Sequence, residues 1–268
     1  MSVELRQLAY DALLQADAGR KLNAVQALQQ VLQSPQTTID PAAVFAGFSA
    51  PGRPDRPELV QPRDVPRRGL GTVEGRAALL HAVAHIEFNA INLALDAIQR
   101  FAGMPADFYR DWASVAVDEA RHFQLLHSRL AQLGFVYGGF KAHNGLWEMA
   151  EKTRDSCLAR MALVPRLLEA RGLDVTPGMI DKLSQLQDPE SVAVLEVILA
   201  EEVRHVAIGT RWFKHCCLLE HKDPETEFIA LLKVHARGSV RGPYNFEARA
   251  RSGFTEFEMR EISLLGQS

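Results

Sequence analysis

The most constraining feature of this chain is a five-residue turn that occurs twice. Asp118-Glu-Ala-Arg-His122 returns as Glu201-Glu-Val-Arg-His205, so both copies read acid-Glu-x-Arg-His. In each copy a Glu and a His are three residues apart, which puts a carboxylate and an imidazole on the same face of a helix. The repeat therefore predicts two helices that each present a carboxylate beside an imidazole.

Each turn also has a matching Glu upstream, 32 residues before the first turn's Glu and 33 residues before the second's. All four carboxylates lie within apolar stripes of helical spacing. Burying a carboxylate is unfavourable unless it is paired, protonated or bound to a metal. We therefore interpret six residues as metal ligands: Glu87, Glu119, His122, Glu169, Glu202 and His205.

A simpler interpretation applies to each of these residues taken alone. A single Glu on an apolar face is more often salt-bridged or at the rim of a core, and a single His is more often a hydrogen-bonded core residue. The matched spacing of six positions favours metal binding. A Glu-x-x-His turn on two helices, with a lone Glu on each of two others, is typical of dimetal carboxylate four-helix bundles.

Hydrophobic periodicity predicts four long helices, at about 72–101, 106–133, 145–171 and 189–219. Gly172 is expected to cap the third helix, and Pro165 to kink it. The predicted fold class is all-α, a ferritin-like four-helix bundle with an N-terminal helical hairpin and an irregular C-terminal extension. The expected domains are residues 1–34 (hairpin), 35–71 (connector), 72–220 (bundle) and 221–268 (extension packing on the bundle).

The connector holds seven prolines, which disfavour helix. It either straps across the bundle or is a mobile linker, and the sequence does not decide between these alternatives. In the extension, helical pieces are expected near 225–236 and 255–265. The two hairpin helices are expected at 3–16 and 21–33.

Composition excludes several classes of protein. The net charge of −3 gives no global basic field for nucleic acid. The chain has no run of 18 apolar residues, so no transmembrane helix is expected, and its acidic first 20 residues are unlike a signal peptide. Three cysteines do not make a disulfide framework. We expect a cytoplasmic protein that does not associate with membranes.

Several segments carry a family resemblance: His81-Ala-Val-Ala-His85-Ile-Glu87, the two acid-Glu-x-Arg-His turns, and residues 158–174. Together they resemble a bacterial family of uncharacterised ferritin-like proteins, over about residues 70–220. That family is similar, more distantly, to the ferritin-like tRNA hydroxylase that modifies 2-methylthio-isopentenyladenosine, within the di-iron carboxylate superfamily of ferritins and rubrerythrins. The resemblance implies a dimetal bundle with the six ligands named above, but it implies no substrate.

The acid before each ligand Glu is a candidate for orienting a ligand His. A metal-bound His usually donates its other N–H to a carboxylate or carbonyl. Asp118 would then serve His205, and Glu201 would serve His122. An ion pair with a cation on the helix flank is an equal alternative for both acids; the cations are Arg121 and Arg204.

Other residues near the expected site have less specific signals. His81 and His85 are four residues apart, which would suit a separate zinc clip, but we favour His85 as a hydrogen-bonded residue beside the site. His143 and Trp147 follow the predicted second helix and are candidates for lining substrate access. Tyr109 is a candidate for the same role or for redox activity.

Three functions compete. Carboxylate and imidazole ligands suit two metal ions, which we expect to be iron, with manganese or zinc as the alternatives. The first hypothesis is a monooxygenase-like di-iron oxidoreductase or hydroxylase that uses dioxygen, an external electron donor and an unidentified small organic substrate. The second is a non-enzymatic iron-binding or iron-handling protein. The third is a tRNA-modifying hydroxylase whose basic tail, residues 233–251, contacts phosphates through cations that include Arg241 and Arg249. Bundles of this type often form homodimers, although no feature here establishes one.

Overall fold

The structure, a computed structural model, describes residues 3–236, 238 and 240–267. The chain divides into two compact units, Met1–Trp147 and Glu148–Ser268. Most of the described residues are helical. The only named strands among them are β1 (Val3–Glu4) and β2 (Thr37–Thr38), which pair in parallel. The all-α prediction is confirmed.

Four helices build the first unit: α1 (Leu5–Leu13), α2 (Ala18–Leu32), α3 (Val73–Arg100) and α4 (Ala106–Gln132). The Thr72 side chain begins α3 by accepting a hydrogen bond from the Gly75 N–H at 3.0 Å. Gly103 and Gly134 follow α3 and α4 with φ of 77° and 83°, a conformation that favours glycine. The predicted boundaries of these helices are confirmed to within a few residues.

The proline-rich connector straps across the helices of the first unit. Arg6 on α1 donates hydrogen bonds to the carbonyls of Asp40 and Pro41 at 2.8 and 2.9 Å. Further along, the Gly52 N–H donates to the Leu13 carbonyl at 2.8 Å. Of the two alternatives that the sequence leaves open, the structure therefore shows the strap.

Arg6 also joins α1 to the C-terminal end of α3. Its Nε donates to the Ile98 carbonyl at 2.9 Å, and its Nη2 donates to the Gln99 carbonyl at 3.0 Å. These carbonyls belong to the last turn of α3, where they have no partner within the helix. The fully buried guanidinium also lies 4.6 Å from the ring centre of Tyr109. One cation thus connects two helices and the strap.

The described residues of the second unit form a π-helical segment and six α-helices: α6 (Cys157–Leu163), the π segment (Val164–Glu169), α7 (Ala170–Gln185), α8 (Pro189–Leu219), α9 (Pro224–His235), α10 (Phe246–Arg251) and α11 (Glu256–Leu265). A shorter helix, α5 (Gly145–Lys152), spans the boundary between the units. The predictions for α8, α9 and α11 are confirmed, and α10 is an additional helix.

The third predicted helix, 145–171, is wrong in its extent. It is interrupted between α5 and α6, where the Ser156 side chain caps α6 by accepting a hydrogen bond from the Ala159 N–H. Gly172 does not cap a helix, because α7 continues to Gln185. Pro165 lies in the π segment, and a π turn leaves a backbone carbonyl without its usual donor, which suits a residue that has no N–H.

The π segment packs closely against α8. A Cβ atom added to Gly209 would overlap the ring of Pro165. Glycine at this position therefore allows the two backbones to approach.

One helix in the described part of the chain, α3, is long and apolar enough to cross a membrane by length and composition. However, 72% of its most apolar window is buried inside the structure. This burial is typical of the central helix of a folded unit, which is how α3 serves here.

Candidate metal centre

Three of the six predicted ligands converge within the first unit. Glu87 lies on α3, and Glu119 and His122 lie one turn apart on α4. The Nδ1 atom of His122 is 3.1 Å from Oε2 of Glu87 and 3.5 Å from Oε2 of Glu119. One potential ligand atom from each residue lies within 4.8 Å of the others. Two helices therefore bring two carboxylates and an imidazole together.

The neighbours of this group along both helices are apolar. Each of the three residues is at most 3% exposed. Residues one turn away from them are also buried: Ala84, Ile91, Val115, Ala116, Phe123 and Leu126. In such a setting the interaction between a cation and the carboxylates is screened less than at the surface.

The electrostatics of the group favour a positive charge between the carboxylates. Burial alone would lower the pKa of His122. Hydrogen bonds to Glu119 and Glu87, together with their negative charges, outweigh burial and raise the pKa of His122 to about 11. A divalent cation would supply positive charge in place of the proton while it binds the neutral imidazole, so the donor group fits a metal ion.

The second unit positions the other three predicted ligands. Glu202 and His205 lie one turn apart on α8, with Nδ1 of His205 3.4 Å from Oε1 of Glu202. Glu169 is the last residue of the π segment. All three side chains are buried. The α8 turn therefore repeats, within its own unit, the carboxylate–imidazole arrangement of Glu119 and His122.

The chemistry of these donors narrows the choice of metal. Carboxylate oxygen and imidazole nitrogen suit iron, manganese or zinc, whereas copper(I) prefers sulfur. The chain thus contains a buried group of Glu and His residues that could hold metal ions.

The residues between the ligands differ in exposure. Asp118 and Glu201, the acids that precede the ligand Glu residues, are half-buried, whereas Arg121 and Arg204 are exposed. A further carboxylate on α8, Glu196, is also exposed and lies away from the buried face. The role of the two acids in orienting a ligand His stays a prediction.

His81 and His85 belong to a hydrogen-bonded cluster with the loop that follows α4. The Gly138 N–H donates to Nε2 of His81 at 2.9 Å, and Nδ1 of His85 is 2.9 Å from the Tyr137 hydroxyl. Burial lowers the pKa of His81 and of His85 to about 4, so both imidazoles are neutral at pH 7. Both histidines thus bind the loop after α4 by hydrogen bonds, as favoured above for His85.

Sequence reasoning missed two members of this cluster, Tyr137 and Asn89. The Tyr137 ring stacks on His81 with 5.3 Å between ring centres. The Asn89 amide Nδ2 is 3.1 Å from Nε2 of His85. A signal for Asn89 was present, because it follows His85 by one helical turn. Tyr137 lies in a loop, where no periodicity marks it.

The three residues expected to line substrate access have different surroundings. Trp147 is buried, with its ring centre 6.3 Å from that of Phe48, and His143 is half-buried. The hydroxyl of buried Tyr109 donates to the Phe101 carbonyl at 2.9 Å and accepts from the Met104 N–H at 3.1 Å. These bonds fix the Tyr109 side chain against the turn after α3, and its expected role in access or redox activity stays a prediction.

One cation in the described part of the basic tail, Arg249, is buried. Arg249 is 3% exposed and forms two hydrogen bonds with Asp174, from Nε to Oδ1 at 2.9 Å and from Nη2 to Oδ2 at 2.7 Å. This residue is therefore a buried ion-pair partner and not a surface cation. Arg241 is exposed.

Comparisons with known proteins place these observations in a family. Residues 14–260 match the family described as "Protein of unknown function (DUF455)". A protein of Haemophilus influenzae (strain ATCC 51907 / DSM 11121 / KW20 / Rd), described as an uncharacterized protein, is 46% identical over 213 residues, which are 77% of this chain and 74% of the relative. No solved structure matches the chain. With a match over most of its length and such a relative, the chain belongs to the DUF455 family of proteins of unknown function.

Proposed function

We propose that this protein is a dimetal carboxylate oxidoreductase that uses dioxygen to oxidise a small organic substrate. The observation that carries the proposal is the buried group of Glu87, Glu119 and His122. The second Glu-x-x-His turn, at Glu202 and His205, supports a second set of ligands of the same type. Such paired sets are typical of di-iron bundles.

The charge of the six ligands is consistent with two divalent ions. Glu87, Glu119, Glu169 and Glu202 provide four negative charges, which would balance two divalent cations in a buried setting. His122 and His205 provide neutral nitrogen donors once they are deprotonated. Iron bound by these groups would supply redox chemistry toward dioxygen, with electrons from an external donor.

The protein's own contribution would be to hold the ligands and to exclude water. Both Glu-x-x-His turns lie on long helices, so their spacing is set by hydrogen bonds of the backbone. Buried apolar side chains flank the ligands of the first unit. We further propose a reducing, cytoplasmic setting, which suits three free thiols.

The first experiment measures metal per chain by elemental analysis of the protein purified from iron-supplemented cells. We expect about two iron ions in the natural chain. Glu119→Gln and His122→Ala are expected to lose more than about half of the bound iron, because each removes a donor to a buried ion. The matched controls are Glu196→Gln and His127→Ala, which change exposed residues of α8 and α4.

Unchanged iron in a Glu119→Ala/His205→Ala double variant, with both controls also unchanged, would overturn the dimetal proposal. Binding of zinc alone from iron-supplemented cells would overturn the oxygen chemistry but keep the metal site.

A second experiment separates an oxidoreductase from an iron-handling protein. The reduced, iron-loaded chain is mixed with dioxygen, and oxygen consumption is followed with an electrode. Repeated turnover with an electron donor and release of an oxidised organic product are expected of the oxidoreductase. Oxygen consumption that stops once the iron is oxidised, without an organic product, would favour iron handling.

A further inference from the structure

A small pocket in the second unit is lined by four arginines. The pocket is about 50 Å³ in volume, and its basic lining consists of Arg166, Arg171, Arg241 and Arg249. Asp174 is the carboxylate that shares the lining. All these residues belong to the second unit.

Arg166 is the most unusual member, because it is fully buried. Its Nη2 donates to both carboxylate oxygens of Glu258 at 2.8 Å, and its Nε donates to the Thr210 hydroxyl at 3.1 Å. Its Nη1 has no hydrogen-bond partner among the described residues. Buried guanidinium nitrogens are normally hydrogen-bonded, so Nη1 has spare capacity for an acceptor.

The surroundings of Arg166 do not replace that acceptor. Its Cζ lies 4.0, 4.5 and 4.8 Å from the ring centres of Phe228, Phe254 and Phe213. Aromatic faces stabilise the cation but do not accept a hydrogen bond of ordinary strength in the plane of the guanidinium. One of these rings, Phe228, also lines the pocket.

The other arginines are held in place by specific contacts. Arg249 donates two hydrogen bonds to the carboxylate of Asp174. Arg171 donates from Nη1 to the carbonyls of Arg241 and Pro243 at 2.9 and 2.8 Å, and from Nη2 to the Gly242 carbonyl at 3.1 Å. Arg171 therefore fixes the backbone that carries Arg241 at the pocket.

Counting charges leaves the pocket positive. Glu258 pairs with Arg166, and Asp174 lies 2.7 Å from Arg249 and 3.6 Å from Arg171, so two carboxylates face four arginines and two positive charges are in excess. The volume corresponds to about four water-sized groups, which is enough for one oxyanion of a few heavy atoms. Arginine forks match the oxygens of a phosphate group in geometry.

We propose that this pocket binds a phosphate group, either as free phosphate or as part of a small metabolite. Arg241 would close the site from the exposed side, and the Arg166 side chain, whose Nη1 is fully buried, would have to shift in order to donate from Nη1 to the ligand. Glu258 and Asp174 would hold two of the arginines and not contact the ligand. The proposal does not depend on the metal centre, because its residues and its readout are separate.

The test is calorimetric titration of the full-length natural chain with inorganic phosphate at constant ionic strength. We expect binding with a Kd of about 1 mM or tighter. Arg241→Gln is expected to weaken phosphate binding by about fivefold or more, because it removes one charge-assisted contact. The matched control is Arg251→Gln, an exposed arginine of the same tail that does not line the pocket, and it is expected to leave the affinity unchanged.

Arg166→Gln is not a clean variant, because it also breaks the buried pair with Glu258. Thermal unfolding of the natural chain provides a second readout that needs no variant. Phosphate is expected to raise the Tm more than acetate does at the same ionic strength. A shift with glucose 6-phosphate that exceeds the shift with phosphate would assign the phosphate group to a metabolite.

Absence of calorimetric phosphate binding would overturn the proposal. An equal loss of affinity in Arg241→Gln and Arg251→Gln would overturn it too, since only general surface charge would then matter. Binding of an RNA oligonucleotide without binding of phosphate would instead assign the tail to nucleic acid.

Discussion

The Nδ1 atom of His122 on α4 lies 3.1 Å from the Oε2 atom of Glu87 on α3. Both residues are buried, and the two helices are joined by the short turn at Gly103. In the metal-free protein the protonated imidazole therefore compensates a carboxylate that has little access to water. A metal ion at this position would bind the same two atoms.

This pairing predicts strong coupling between the two residues in the metal-free chain. His122→Gln is expected to lower the free energy of unfolding by about 3–5 kcal/mol, because it removes a positive charge from beside two buried carboxylates. Adding Glu87→Gln is expected to recover a large part of that loss. Chemical denaturation in the presence of a chelator measures the stability of the single and double variants. If the effects of the two substitutions simply added, the prediction would be contradicted.

Arg6 is expected to stabilise the first unit strongly. Arg6→Met would leave the carbonyls of Ile98, Gln99, Asp40 and Pro41 without this donor, and the free energy of unfolding should fall by about 3 kcal/mol or more. Arg63→Met is the matched control, since the Arg63 side chain is 86% exposed. Similar denaturation midpoints for the two variants would show that the strap contributes little.

Lys21 gives the protein a pH dependence on the alkaline side. The lysine is buried and donates to the carbonyls of Ala12 and Leu13 at 2.9 Å each, and burial lowers its pKa to about 7. Between pH 7 and the unfolded pKa of about 10.4 the unfolded chain binds a proton that the folded chain does not. Stability should therefore rise with pH across that window and level off outside it.

The matched variant for this effect is Lys21→Met, which cannot titrate. Its stability relative to the natural chain is expected to fall between pH 7 and pH 10 by up to a few kcal/mol, apart from any constant offset. Urea denaturation at several pH values supplies the measurement. If the stabilities of the two proteins changed with pH in parallel, the pKa of Lys21 in the folded protein would have the ordinary value for lysine.

Gly209 tests the packing of the π segment. Gly209→Ala is expected to destabilise the protein by about 1–3 kcal/mol, because the added methyl group overlaps Pro165. Gly172→Ala, within α7 and with open space around it, is expected to be neutral or to stabilise by about 0.5–1 kcal/mol. Thermal unfolding compares the two. If Pro165→Ala does not reduce the loss caused by Gly209→Ala, the overlap is not its cause.

The sequence predicts the long helices well because their signals are local. Apolar periodicity and terminal glycines define α3 and α4, and the Glu-x-x-His spacing fixes the relation between Glu119 and His122 within one turn. The approach of Glu87 to His122 depends on packing between helices, for which periodicity gives only the face and not the distance.

The region of the third predicted helix fails for identifiable reasons. Ser156 is a residue type that can begin a new helix, but the apolar pattern on both sides of it predicts one continuous helix. Gly172 has ordinary helical surroundings, so the presence of glycine did not indicate an end. The strap likewise depends on Arg6. A charged residue within an apolar stripe is expected at the protein surface, so the sequence does not predict that Arg6 is buried and binds the strap.

The π turn at Val164–Glu169 has a consequence for how this part of the chain is compared with relatives. A π turn holds one residue more than an α turn, so residues beyond it are rotated by about 100° relative to an uninterrupted helix. A relative that lacked one residue in this segment could keep a continuous α-helix and the same outward face on α7. Sequence alignments across residues 164–169 should therefore allow a gap of one residue. The residue of a relative that corresponds to Glu169 should be identified by superposing the two structures and not from the sequence alignment alone.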